Sequence, residues 1–208
     1  MIEDKVWSED PTKYIVGADE VGRGSFAGPI CAAAVKINYS HLGLLTNVKY
    51  SKKLSAKKRE EIFSMVEKNN IEYSFNESSN TFIDQFGIKN ANEKVLTDSI
   101  SDIYTSKELV YVDHFKINDF KSISVVRGED NCRAIALASI VAKVLRDNLM
   151  IKYSEKYPEY SFEKNKGYGT KDHREAISKY GLSNIHRKSF SLKPVSYTHL
   201  TLPTSHCV

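Results

Sequence analysis

YIVGADEVGRG, residues 14–24, is the stretch whose reading decides the fold. A short apolar run ends in two adjacent carboxylates, Asp19 and Glu20, and the chain then turns through Gly22, Arg23 and Gly24. Taken alone, the stretch also suits a polar strand end followed by a glycine turn. A strand stop needs only one polar residue, however. Two acids beside paired glycines suit an oxygen-ligand metal site that a polymer backbone can approach closely. Successive side chains of a regular strand point to opposite faces, so Asp19 and Glu20 can join one cluster only where the strand ends or bulges. Gly22 and Gly24 predict such a break.

Outward from this stretch, residues 29–37 are nearly all small or apolar and predict a buried strand that forms a hairpin with residues 14–18. Ser55 is placed to cap a helix running to about Lys68, with Ile62, Phe63 and Val66 on one face and lysines on the other. Alternation of Ile71, Tyr73 and Phe75 predicts a third strand. Apolar spacing from Asn80 to Tyr104 predicts helix, interrupted near Gly87. Leu109 to Asp113 and Ser122 to Val126 read as a fourth and a fifth strand. A long helix follows, rich in Ala, Ile, Val and Leu from Ala134 to Leu149, and Thr170 to Tyr180 closed by Gly181 predicts a last helix capped at both ends. Strands first and strand–helix alternation later imply an α/β fold with a mixed sheet flanked by helices.

Asp113 ends the run LVYVD as Asp19 ends YIVGAD, and two such ends on neighbouring strands would converge. Glu129 and Asp130 follow the fifth strand at the mouth of the long helix, where a carboxylate is also favoured simply as a cap. Four gathered carboxylates would repel unless some took up protons or a divalent cation joined them. Magnesium accepts oxygen ligands and keeps room for water and phosphate oxygens. Two such ions about 4 Å apart can activate water and stabilise the departing oxygen of a phosphodiester. This is the donor set of a metal-dependent nuclease.

The 208 residues suffice for one main domain with a real core, and 41% hydrophobic with 27% charged residues describe a water-soluble chain. No run approaches the ~18 apolar residues of a membrane helix, and the amino terminus does not read as a signal peptide, so a cytoplasmic protein with no membrane association is expected. The net charge of +4 is modest, but Lys49, Lys52, Lys53, Lys57, Lys58 and Arg59 fall within an acid-free stretch. Such a run is either a solvated helix face or a phosphate-neutralising patch. Cys31, Cys132 and Cys207 have neither zinc spacing nor a disulfide pattern and read as reduced structural thiols. Residues 195–208 contain no Asp, Glu, Lys or Arg and are set aside as a disordered or non-native tail, leaving residues 1–190 as the expected catalytic domain.

Together these blocks resemble the type 2 ribonucleases H, bacterial-type ribonuclease HII in particular. GADEVGRGSFAGP is similar to the family's opening signature, SKKLS to its basic loop, YVD to its second acidic strand end, and ALASIVAKVLRD to its central helix. NKGYGTKDH and HRKSF are similar to its carboxy-terminal elements, all in family order from Tyr14 to about Phe190. The resemblance implies an RNase H-like mixed five-stranded sheet with a small helical carboxy-terminal extension. It also implies a hydrolase that cleaves the RNA strand of RNA/DNA hybrids and cuts 5′ of ribonucleotides embedded in duplex DNA, as in replication and DNA repair. Asp19, Glu20 and Asp113 become metal ligands for Mg2+ or Mn2+. The family's fourth acid is normally an aspartate after Lys-Gly; here Glu129 takes that place, with Asp130 as the alternative. Gly22, Arg23 and Gly24 become the turn that reads the 2′-hydroxyl. Lys52, Ser139 and Lys143 become phosphate contacts, and Tyr168 becomes the ring that packs on the deoxyribose after the ribonucleotide. Tyr50 and His114 depart from the family's usual aspartate and glycine. A monomer is expected, and a sliding clamp stays open as a protein partner.

Two other readings compete. A hybrid-binding protein that lost catalysis through Glu129 is disfavoured by retention of Asp19, Glu20 and Asp113. A DNA-cutting nuclease of the same superfold is disfavoured by the ribose-reading turn. His173 and His186 read as hydrogen-bonding supports rather than general bases, and Asp147 as an ion-pair partner of Lys143 or Lys152.

Overall fold

The computed structural model describes residues 1–46, 48 and 54–191. Five strands form one sheet in the order β3-β2-β1-β4-β5. They are β1 (Ile15–Val21), β2 (Ile30–Ile37), β3 (Tyr73–Ser78), β4 (Leu109–Asp113) and β5 (Ile123–Val125). β1, β2 and β3 pair antiparallel, while β4 lies parallel to β1 and β5 parallel to β4. The mixed sheet expected from the sequence is therefore present, with each strand within a few residues of its predicted place.

Alternation along β1 divides the core. Ile15 packs with Ala33, Val35 and Ile37 against the long helix α5 (Arg133–Lys156) and α2 (Ala56–Lys68). Val16 and Ala18 face the other way, with Ala32 and Ala34, onto α3 (Asn80–Ile103). Ala134, Ile135, Ala136, Leu137 and Ala138 are all fully buried, so the first turns of α5 are enclosed on every side. The predicted break in α3 is real: Gly87 has φ +82°, outside helical geometry. Ser55 and Thr170 cap α2 and α7 (Lys171–Tyr180) with their side chains, as their positions in the sequence predict.

Sequence reading missed α1 (Ile2–Glu9), whose role is long-range. Its Glu3 is fully buried and accepts a hydrogen bond from the Ala134 backbone N–H at 3.0 Å, satisfying a donor at the start of α5. Glu129 and Asp130 are therefore not the caps of the long helix. They belong to a separate short helix, α4 (Gly128–Asn131), and Cys132 is the residue from which α5 starts. Cys31 and Cys132 are buried and unpaired, and burial pushes the Cys31 thiol up to about 12, in keeping with structural thiols. Among the described residues no helix is long and apolar enough to cross a membrane.

The carboxy-terminal elements α6 (Phe162–Asn165) and α7 and the segment to Ile185 form a satellite cluster around Met150, Tyr160 and Phe162, while Phe190 packs back onto the α3 side of the sheet. Inside the cluster His173 and His186 are fully buried with their Nε2 atoms 3.0 Å apart. The Ser183 backbone N–H donates to His186 Nδ1 at 2.9 Å, so that nitrogen is an acceptor and the proton sits on Nε2. His186 Nε2–H then donates to His173 Nε2, and His173 Nδ1–H donates to the Tyr168 carbonyl at 2.9 Å. The direction of this chain requires both rings to be neutral. Burial and the neighbouring His173 lower His186 from 6.5 to about 4, and burial lowers His173 as well.

A histidine whose folded pKa is depressed contributes stability above its unfolded value and loses it as the pH falls, because the unfolded chain then binds the proton more readily. Between about pH 6.5 and 4 the His186 contribution should disappear. Denaturant titrations of the wild type and His186→Gln should therefore show a stability gap at pH 7 that narrows by about 2 kcal/mol at pH 4.5. A gap independent of pH would contradict the neutral pair.

Candidate active site

Parallel pairing of β1 with β4 ends at Ala18 opposite Val112. Asp19 and Asp113, the next residue on each strand, thus emerge side by side. The expected strand end or bulge at Asp19 does not occur. β1 continues to Val21 in unbroken register with β2, through Glu20↔Ala32 and Val21↔Cys31. What ends is the pairing with β4. That frees one edge of β1 while its other edge stays bonded, so side chains on opposite faces can both reach the same cleft.

This cleft, of about 420 Å³, is lined by Asp19, Glu20, Asp113 and Glu129, by the corner Gly22, Arg23 and Gly24, and by Arg59, Ser139, Lys143 and Tyr168. Every sequence-predicted site residue among those described is therefore in one place, apart from the alternative Asp130. Asp130 instead accepts two hydrogen bonds from the exposed guanidinium of Arg127, at 2.9 and 2.7 Å. Lys52 lies outside the described residues. Arg59, read only as part of the basic run, lines the cleft as well. Its position near the start of a lysine-rich helix gave no signal that separated it from its neighbours.

Local geometry orients the acids. Asp113 Oδ1 accepts the Gly128 backbone N–H at 2.7 Å, and a Cβ on Gly128 would lie 2.9 Å from that same oxygen. The glycine before Glu129 therefore joins the third acid to the loop carrying the fourth. His114, where the family usually has glycine, adopts φ +53°, so the turn after Asp113 keeps a glycine-like left-handed backbone despite its side chain. Asp19 Oδ1 accepts the Glu20 N–H at 2.9 Å, and its side chain also hydrogen-bonds Ser139 on α5. One turn further along that helix, Lys143 pairs with Asp147 at 2.8 Å.

The cleft is electrostatically unsettled. Asp19 is 5% exposed, and burial followed by the charge of Glu20 holds its carboxyl well above the usual range, with Glu129 and Asp113 adding to the effect. Ser139 opposes this through its hydrogen bond. Glu20 is raised too, first by burial and then by Asp113, against the opposing charge of Arg23. Among the described residues no three His, Cys, Asp or Glu side chains are gathered into a ready-made metal cage. The acids line a wall, with Asp19 and Asp113 turned onto backbone donors. The chemistry of the donor set nonetheless fits a hard divalent cation: it is all oxygen, part-open to solvent, and burdened by mutual repulsion that a cation would relieve.

The glycines of the corner do different work. At Gly22, φ is +85° and a Cβ would lie 2.2 Å from Arg146 Nε, so the protein's own packing demands glycine there. At Gly24 no atom lies within 4 Å of the place a Cβ would take, and the backbone is not left-handed. Nothing among the described residues requires a glycine at this position, and Gly24 lines the cleft.

A mixed five-stranded sheet in this order, flanked by helices, is an RNase H-like fold. A solved ribonuclease H2 from Pyrococcus horikoshii OT3 matches it with a TM-score of 0.72 at 23% identity, covering 86% of this chain and 94% of that one. An RNase HII from Archaeoglobus fulgidus, solved in a complex with PCNA, matches with a TM-score of 0.70 at 24% identity over 83% of this chain and 91% of that one. Bst-RNase HIII in complex with Mn2+ matches with a TM-score of 0.67 at 16% identity, over 92% and 71%. At these identities the likeness bears on the fold.

Sequence comparison is more specific. The family described as Ribonuclease HII matches residues 16–193. The chain is 43% identical to a ribonuclease HII of Clostridium beijerinckii over 87% of its length and 68% of the relative's. It is 41% identical to one of Caldicellulosiruptor bescii over 91% of both. The chain belongs to the ribonuclease HII family, and it is a ribonuclease H, an endonuclease.

The two glycines should separate experimentally. Gly22→Ala should cost about 2–3 kcal/mol through backbone strain and collision with Arg146, lowering the melting midpoint by roughly 5–10 °C. Gly24→Ala should melt within about 2 °C of the wild type yet bind nucleic acid more weakly. Equal loss of stability in both variants would refute this division.

Proposed function

We propose that this enzyme hydrolyses the RNA strand of RNA/DNA hybrids and cuts on the 5′ side of ribonucleotides embedded in duplex DNA, in ribonucleotide removal during replication and repair. One observation carries the reading: a single cleft joins four carboxylates to a glycine corner with open space at Gly24 and to the ring of Tyr168. The acids supply the chemistry, and the other two features face two successive sugars, the ribose just 3′ of the cut and the deoxyribose after it. Residues 1–190 are taken as the catalytic unit.

Asp19, Glu20, Asp113 and Glu129 would hold Mg2+ or Mn2+; the solved Mn2+ complex of an RNase HIII supports a divalent ion in this fold. Bound there, a pair of such ions would supply an activated water and stabilise the departing oxygen. The protein's own contribution is orientation. Gly128 N–H aims the Asp113 carboxylate, while Ser139 and the Glu20 N–H aim Asp19. Arg23, Arg59 and Lys143 bring positive charge to a phosphate backbone that would otherwise be repelled by the acids. Lys143 arrives already paired with Asp147, so it acts as a braced charge rather than a swinging one.

Gly24 leaves room for a backbone amide to meet a 2′-hydroxyl, the group that separates RNA from DNA. Tyr168 lines the cleft with Lys143 Nζ 5.7 Å and the Arg146 guanidinium 5.6 Å from its ring centre, contacts that hold the ring in place for a sugar to pack on. Glu129 rather than Asp130 is proposed as the fourth ligand, because it faces the cleft at 5% exposure while Asp130 is engaged by Arg127. A longer side chain at this position reaches from a backbone anchored at Gly128.

The test is duplex DNA carrying one ribonucleotide, incubated with and without Mg2+ beside an all-DNA control. Cleavage is expected only with ribonucleotide and metal together, leaving 3′-hydroxyl and 5′-phosphate ends. Asp113→Asn should abolish it while hybrid binding and folding persist, since the change removes a ligand and also relieves repulsion. Glu129→Gln should lose at least on the order of a hundredfold in rate, as befits a direct ligand rather than a supporting contact. Asp130→Asn should stay within a few-fold of wild type, a pattern whose reversal would transfer the role to Asp130.

A further inference from the structure

Arg146 is fully buried, and among the described residues no carboxylate pairs with it. Burying a guanidinium without a counter-ion is costly unless every donor is satisfied. Its donors go to separate segments of chain. Nε donates to the Pro29 carbonyl at 3.1 Å, Nη1 to the Lys166 carbonyl at 3.0 Å, and Nη2 to Ser25 Oγ at 3.0 Å and the Ala27 carbonyl at 3.4 Å. The side chain fills the space that a Cβ on Gly22 would need, and its guanidinium lies under the Tyr168 ring.

The two segments it bridges are the two sugar-facing elements of the cleft. Residues 22–29 carry the glycine corner, and residues 166–169 carry Tyr168. They are also stitched directly: the Phe26 and Ala27 N–H groups both donate to the Gly167 carbonyl, at 2.7 and 3.2 Å. The corner has a second support. Arg187, likewise fully buried, donates to the carbonyls of Gly22 at 2.7 Å, Arg23 at 2.8 Å and Gly28 at 3.0 Å. The side-chain hydrogen bonds of Arg187 all go to the corner segment, whereas those of Arg146 reach both that segment and the tyrosine loop.

We infer that Arg146 is a positioning residue that fixes the spacing between the glycine corner and Tyr168, and so sets the enzyme's preference for a ribonucleotide followed by a deoxyribonucleotide over a continuous RNA strand. The inference rests on the proposed reading of those two elements as contacts to successive sugars. A planar fork spreads its donors over three nitrogens and reaches oxygens on separate segments, whereas lysine's three donors radiate from one nitrogen and cannot span the same set. An apolar residue could fill the volume but would leave those carbonyls without donors. A site reading two adjacent sugars needs both contacts simultaneously, so an error in their spacing penalises the junction substrate more than one that relies on the ribose contact alone.

The experiment compares kcat/KM on duplex DNA containing one ribonucleotide with kcat/KM on a long RNA strand paired to DNA, both with Mg2+. Wild type is measured beside Arg146→Lys and the milder Ser25→Ala, which removes one acceptor of the same guanidinium. In Arg146→Lys the ratio of the two values should shift against the single ribonucleotide on the order of tenfold or more, with a smaller shift of the same sign in Ser25→Ala. Thermal melting establishes whether Arg146→Lys is folded at the assay temperature. If it is, its ratio decides; if it is not, that of Ser25→Ala decides, and an unchanged ratio in the deciding variant overturns the inference. A purely structural role would lower both activities together and leave the ratio in place. Failure of the wild type to cut the single-ribonucleotide duplex would instead overturn the functional reading, a result distinguishable from an active wild type whose variants keep its preference.

Discussion

The site depends on direct backbone contact between α5 and β1. A Cβ on Gly17 would lie 2.2 Å from the Ala134 carbonyl carbon and 2.3 Å from the Ile135 nitrogen, so no other residue permits the helix to sit where it does. This close approach brings Ser139 to Asp19 and places Lys143, one turn on, over the same cleft. It also draws in the loop before the helix, where Gly128 is wedged between Ile135 and the Asp113 carboxylate. Four acids from three separate segments meet because one helix is pressed onto one strand with nothing between them. Buried Glu3, reaching from α1 to the Ala134 N–H, seals the same contact from outside.

Bringing those acids together works against folding. Asp19 is held protonation-prone by its burial and by the charges around it, a cost that an ordinary core residue would not incur. The surrounding structure offsets part of it with oriented dipoles: backbone N–H groups at Glu20 and Gly128 and the Ser139 hydroxyl all point at carboxylate oxygens. On the far side of the corner the sign is reversed. Arg146 and Arg187 are both buried and repel each other, enough that burial together with this neighbour brings Arg187 down to about 9. An acidic wall and a cationic buttress thus flank the same glycine turn. That is a reasonable arrangement for a surface that must accept a polyanion while presenting carboxylates to it.

Much of this was legible in the chain. The apolar run before Asp19, the matching run before Asp113 and the Ala-rich helix follow from periodicity, and the family signatures set their order. Alternation alone could not explain how Asp19 and Glu20 share a cleft, because the answer lies in the neighbouring strands: pairing with β4 stops at Ala18 while pairing with β2 continues to Val21. The local rule that demanded a bulge was too narrow for a strand with two different neighbours. Similarly, α1 has few apolar residues and no family signature, and its value is visible only once Glu3 is seen against the start of a helix 131 residues later. Arg146 and Arg187 could not be found from sequence either. Arginines inside a helix and a polar loop read as solvated charge, and only the carbonyls converging on them show why they are buried.

The same contrast explains why Gly22 and Gly24, with only Arg23 between them, cannot be treated as one motif. Gly22 is required by the scaffold, since Arg146 occupies the space its side chain would take. Gly24 meets no scaffold atom among the described residues, and the proposed contact to an incoming sugar gives its lack of a side chain a role. In a corner built this way, the first glycine admits the arginine that stiffens the turn, and the stiffened turn makes the second glycine's open face a fixed surface. Rigidity behind and open space in front are what the proposed reading of a single hydroxyl requires. A mobile corner could adapt to either sugar, and discrimination depends on the wrong partner leaving a fixed polar group unpaired.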